Sequence, residues 1–79
     1  MTQEKIKTII AQQLGVVEST LTSDTNIVDN LNADSLDLVE LVITLENAFR
    51  IKIEEREYEG AQTVQQITDL VDSKLAEKL

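Results

Sequence analysis

A chain of 79 residues that contains neither cysteine nor histidine has few routes to a stable fold. At this size a domain buries only about 60% of the surface its unfolded form exposes, so the core is thin. Small domains make up the shortfall with disulfides, a structural metal or well-packed helices. The missing residues remove disulfides and any thiolate or imidazole zinc site. Packed helices remain, and the apolar residues are spaced to form them. The expected fold is all-α: a small four-helix bundle of three long helices and one short one. A long ordered loop separates the first and second helices, and one domain occupies residues 1–79.

The first helix spans Thr2 to Leu14, with Thr2 able to cap its start, Ile6, Ile9, Ile10 and Leu14 at helical spacing, and Gly15 suited to the position past its end. From Val16 to Ala33 no period is sustained, and Ser, Thr, Asn and Asp crowd the segment. A structureless connection of that length is unusual in a compact domain, so Leu21, Ile27 and Leu31 are expected to peg it to the helices. The second helix spans Ser35 to Arg50, with Asp34 as N-cap and Asp37 closing a capping-box-like arrangement. Glu54 to Tyr58 forms a short helix ended near Gly60. Thr63-Val64-Gln65-Gln66 opens the last helix as a capping box, and Val64, Ile67, Leu70, Val71 and Leu75 supply its core stripe. Lys74 and Lys78 suit the negative end of that helix's dipole.

The second helix carries more apolar surface than one face needs. At 100° per residue, Leu38, Leu41, Val42, Leu45 and Phe49 lie within about 100° of arc, the width of a core-facing stripe. Leu36, Val39 and Ile43 form a separate stripe roughly 140° away, flanked by Glu40 and Glu46. Such a helix has either two packing neighbours or one neighbour and a binding face. The sequence favours a partner surface for Val39 and Ile43 and leaves Leu36 open between the two.

Charge and missing residue types narrow the function classes. The net charge is -8, and Glu18 to Glu59 holds eleven acids against Arg50, Lys52 and Arg56. An acidic middle argues against nucleic acid and anionic membrane, and for basic protein partners found by electrostatic steering. Acidity for solubility is the plainer alternative. Without His or Cys there is no Ser-His-Asp triad, thiol nucleophile or imidazole base, so the chain is not expected to be an enzyme. Asp24 and Asn26 begin an EF-hand-like spacing, but Val28, Asp29 and Ser35 occupy positions that need a ligand, a glycine and a glutamate. No metal is expected. No apolar run approaches ~18 residues, and Met1 leads into polar residues, so neither a span nor a signal peptide is expected.

A serine at a helix start is unremarkable on its own. Its surroundings are not. Leu31-Asn32-Ala33-Asp34-Ser35-Leu36-Asp37, followed by Val39-Glu40-Leu41-Val42, Leu45-Glu46 and Phe49, resembles the attachment region of acyl carrier proteins. The likeness continues through Ile51, Ile53 and Thr63-Val64 and covers essentially the whole chain. It implies that Ser35 receives 4'-phosphopantetheine from coenzyme A through a separate synthase, and that the arm's thiol holds acyl groups as thioesters. It further implies that Asp34, Asp37, Glu40 and Glu46 meet basic residues on fatty acid synthesis enzymes and the holo-carrier synthase, with Leu36, Val39 and Ile43 supplying the apolar contacts. The core stripes of the three long helices would part to shelter the acyl chain. A monomeric, cytoplasmic carrier for fatty acid synthesis follows, with no nucleic acid and no stable membrane association.

Two positions depart from the family pattern. Asn32 stands where Gly usually precedes Ala-Asp-Ser, and Asn tolerates a left-handed backbone better than most residues. Arg50 and Lys52 replace the more usual Gly and acid after Phe49 and put positive charge beside the second helix. A carrier for polyketide or aminoacyl assembly is the alternative within the family. An unmodified acidic helical adaptor is the alternative outside it.

Overall fold

The computed structural model describes residues 2–78. Its elements in order are α1 (Thr2–Leu14), a 3-10 turn (Glu18–Thr20), α2 (Ser35–Phe49), α3 (Glu55–Glu59) and α4 (Val64–Glu77). Among the described residues the sole β-type pairing is an isolated antiparallel bridge between Asn26 and Thr63. The expected all-α arrangement of three long helices and one short helix is the one observed.

Local chemistry sets the boundaries. Gly15 ends α1 at φ 68, a left-handed geometry that costs glycine nothing. Thr63 caps α4: its hydroxyl accepts from the Gln66 amide at 3.0 Å, and the Gln66 side chain accepts from the Thr63 amide at 3.1 Å. Glu54 is the N-cap of α3 rather than its first residue, and the Glu57 carboxylate accepts from its amide at 3.0 Å. At the other end of α2 the helix stops one residue earlier than expected. Arg50 is its C-cap, in the left-handed region at φ 56 and ψ 51.

The long connection is ordered by work it does for α4. The Thr25 and Ser23 carbonyls accept from the Val64 and Gln65 amides at 3.0 and 2.9 Å, pairing donors that a helix start otherwise leaves unsatisfied. The Ile27 amide donates to the Gln62 carbonyl at 2.9 Å, and the Asn26 side chain accepts from the Val28 and Asp29 amides. Leu21 and Ile27 are buried and Leu31 half-buried, so all three expected pegs hold.

Side-chain bonds fix how the helices run. The Gln3 and Gln65 amide groups meet at 3.1 Å, which brings the starts of α1 and α4 together. Well along α1 and α2, the Thr44 hydroxyl donates to Gln13 at 3.0 Å, and Lys78 reaches the end of α2 from the end of α4. The three long helices therefore share one general direction. Each connection must travel back along the molecule, which is why residues 15–34 are needed at all. Ile6, Ile10, Leu41, Leu45, Ile67 and Val71 sit at the centre of one core cluster shared by these helices. Among the described residues no helix is long and apolar enough to cross a membrane. Met1, on which the reading of the chain's start rests, lies outside them.

Candidate functional site

Ser35 is the first residue of α2, and the backbone leading to it is tightly held. Asn32 takes φ 57, the left-handed turn its amide side chain makes tolerable. Ala33 is buried, and its amide donates to the Ile27 carbonyl at 3.0 Å. The Asp34 carboxylate then accepts from the Asp37 amide at 2.9 Å, while the Asp37 carboxylate accepts from the Asp34 amide at 3.1 Å. Ser35 stands exposed between the two halves of that box.

The same bonds leave an anion-favouring edge. Of the amides in the first turn, Asp37 is taken by the Asp34 side chain and Leu38 by the Asp34 carbonyl at 3.0 Å. The Ser35 and Leu36 amides have no protein acceptor among the described residues. They lie at the positive end of the α2 dipole, beside the Ser35 hydroxyl, where a phosphodiester oxygen is stabilised by about 0.3–1 kcal/mol. An exposed hydroxyl with two unpaired amides beside it fits a phosphate ester. The Asp34 and Asp37 carboxylates oppose it, but each is held by a backbone amide.

Among the described residues the second apolar stripe of α2 is left uncovered. Leu36, Val39 and Ile43 are 66%, 42% and 51% exposed. Glu40 is exposed alongside them, and Asp37 is half-buried. Glu46 is more constrained: its carboxylate accepts from the Ile53 amide at 2.8 Å and ties α2 to the following segment. The sequence assigned Glu46 only to an outward face, because nothing local announces a bond across seven residues.

Beneath this face lies a small apolar cavity of about 20 Å³, lined from α2 by Leu38, Leu41, Val42 and Leu45, and from beyond it by Ile53, Tyr58, Ala61, Ile67 and Leu70, with Ile27 from the long loop. The cavity is formed without α1. No α1 residue reaches the cavity, because Ile6 and Ile10 already pack at the centre of the bundle. The short helix and its flanks take that place.

Three further contacts were not foreseen. Lys74 pairs with Glu57 at 2.7 Å, both side chains largely covered. The hydrogen bond from Lys74 holds the Glu57 carboxyl below its ordinary range, reinforced by the Glu54 amide, and the same bond raises Lys74. The Lys78 ammonium donates to the Arg50 carbonyl at 2.7 Å and the Phe49 carbonyl at 3.4 Å. These lysines therefore serve α3 and α2, not only the end of their own helix. Among the described residues no three acidic side chains converge as a group able to hold a metal ion.

Residues 4–71 match the family described as the phosphopantetheine attachment site. The chain belongs to that family, among the acyl carrier proteins. The acyl carrier protein of Buchnera aphidicola subsp. Baizongia pistaciae is 48% identical over 69 residues, covering 87% of this chain and 88% of that protein. That of Guillardia theta is 47% identical over 73 residues, covering 92% and 90%. The solution structure of the holo acyl carrier protein from Geobacter metallireducens has a TM-score of 0.83 at 32% identity, covering 98% of this carrier and 88% of that chain. Phosphopantetheine is therefore the prosthetic group of this carrier, and the proteins it resembles are carriers rather than catalysts.

Proposed function

We propose that Ser35 is the attachment residue and that the carrier serves fatty acid synthesis as one non-catalytic domain over residues 1–79. The observation that carries this reading is the exposed Ser35 hydroxyl beside the two unpaired amides of Ser35 and Leu36, inside the family match. When attached, the arm supplies a thiol that this cysteine-free chain lacks, and acyl groups ride on it as thioesters. The chain's own residues anchor and present it. The Asp34–Asp37 box fixes the helix start, and the exposed stripe of Leu36, Val39 and Ile43 with Glu40 gives partner enzymes a face to read. Asp34, Asp37 and Glu46 add charge to that face while also holding backbone amides. The cavity under α2 is the place where a growing acyl chain would be sheltered, by separation of α2 from α3.

The partners are fatty acid synthesis enzymes and a holo-carrier synthase with basic docking patches, met in the cytoplasm by a monomer. Contacts between exposed charges are fast, salt-sensitive and individually weak, which suits a carrier that visits many enzymes. Intact mass after incubation with coenzyme A, magnesium and a phosphopantetheinyl transferase tests the assignment. One phosphopantetheine is gained by the wild-type chain and none by Ser35→Ala. An unmodified wild-type chain, or a modified Ser35→Ala chain, overturns it.

A further inference from the structure

One corner of this acidic molecule is positive. Arg50, Lys52, Lys74 and Lys78 line an open groove of about 380 Å³ at the ends of α2 and α4, with Ile51 and Glu77 completing its walls. Two of the four cations are committed to the fold, Lys74 to Glu57 and Lys78 to the Phe49 and Arg50 carbonyls. Arg50 and Lys52 are not. Both are exposed, and among the described residues neither takes part in an ion pair.

Arg50 is the informative residue. Its backbone sits at φ 56, where any residue with a Cβ incurs a cost that glycine would not. Nothing in the fold repays that choice. The guanidinium is not buried, has no carboxylate partner among the described residues, and is not needed to neutralise the carbonyl end of α2, which Lys78 already caps. A strained position filled by an unused charged side chain points to a contact outside the chain.

We propose that this groove is a second docking site, which takes the carboxylates of an acidic segment on a partner protein. Arg50 offers a planar fork suited to one carboxylate, Lys52 a point charge for the next, and half-buried Ile51 an apolar surface between them. The site lies one helix length from Ser35, about 22 Å along α2 at 1.5 Å per residue. A partner that engages both ends of α2 would be read by an acidic face and a basic groove together, which fixes its orientation along the helix. The chemistry favours a peptide over a phosphate-rich surface. Only Arg50 and Lys52 are available as cations here, short of the four to eight that mark lipid-binding clusters, and Glu77 inside the groove leaves room for one or two carboxylates rather than a densely charged phosphate surface. The inference does not depend on Ser35 being the attachment residue.

The test is titration of the ¹⁵N-labelled carrier with blocked hexaglutamate at low ionic strength, read by amide chemical shifts. Shifts are expected at residues 50–52 and 74–78, and their loss in 0.5 M salt (on the order of a 4 Å Debye length). Affinity should fall at least tenfold in Arg50→Glu/Lys52→Glu. Arg50→Gly, whose backbone suits the position, should lose at least threefold with the rest of the spectrum unchanged. Absence of shifts, shifts that survive in both variants, or stronger binding to phosphatidylglycerol vesicles than to the peptide overturns the proposal.

Discussion

Two residues in left-handed backbone mark where α2 begins and ends, and each makes a separate prediction. Asn32, φ 57, turns the chain toward Ser35, and Arg50, φ 56, turns it away after Phe49. Asn relieves the left-handed strain through its short polar side chain; Arg does not. Arg50→Gly should therefore stabilise the protein by a few tenths to about 1 kcal/mol, the relief of strain being partly offset by the greater freedom of glycine when unfolded. Urea unfolding measures it, and a loss of stability would show that the Arg50 side chain holds something in place. Asn32→Ala should cost about 1 kcal/mol in the same assay. The left-handed turn at Asn32 was legible in the sequence because the residue type and its place before Ala-Asp-Ser agree. That at Arg50 was not, because Arg is a good helix former and locally argues for one more turn. Only the position it shares with a usual glycine carried a signal.

At the scale of elements, α3 depends most on its surroundings. A five-residue helix has no stability of its own, since nucleation costs more than so few backbone bonds return. It is held by the Glu54 amide bonded to the Glu57 carboxylate, by Tyr58 against the core, by Lys74 on Glu57, and by Glu46 gripping the Ile53 amide just upstream. Glu46→Ala leaves that part-buried amide without its partner and should cost about 1–2 kcal/mol. Glu57 adds a pH dependence whose sign is fixed. Its carboxyl is held below the ordinary carboxylate range by the hydrogen bond from Lys74. Its contribution is therefore fully present above the unfolded value and lost as pH falls through the folded one. Glu57→Gln should be less stable than wild type at neutral pH, with the difference closing on acidification below that range. A gap that stays constant from neutral to acid pH would rule out the ion pair as its source. The long helices were legible from spacing and caps because those signals are local. The contacts that fasten α3 were not, because they join residues far apart in sequence with nothing to mark the partners.

At the scale of the molecule, the question is whether the exposed stripe on α2 stabilises this chain or something it meets. Leu36, Val39 and Ile43 were separable from the core stripe in sequence by their angle around the helix, but periodicity cannot say whether a second stripe is covered. The bundle leaves it open: Leu41, Val42 and Leu45 turn into the core, while Leu36, Val39 and Ile43 stay exposed. Replacing Val39 and Ile43 with serine should then change stability by less than about 0.5 kcal/mol each, as at ordinary surface sites. If the stripe is read by partners, the same pair of changes should slow phosphopantetheine transfer and acyl loading while leaving unfolding untouched. Glu40→Lys separates the electrostatic part of that reading from the apolar part. A reversed charge at the edge of a docking face acts mainly on association, so loading should slow at low ionic strength and approach wild type as salt rises. The serine variants should show no such recovery, because apolar contact is not screened. Equal loading rates for Glu40→Lys and wild type at low salt would mean that partners do not approach along this side of α2.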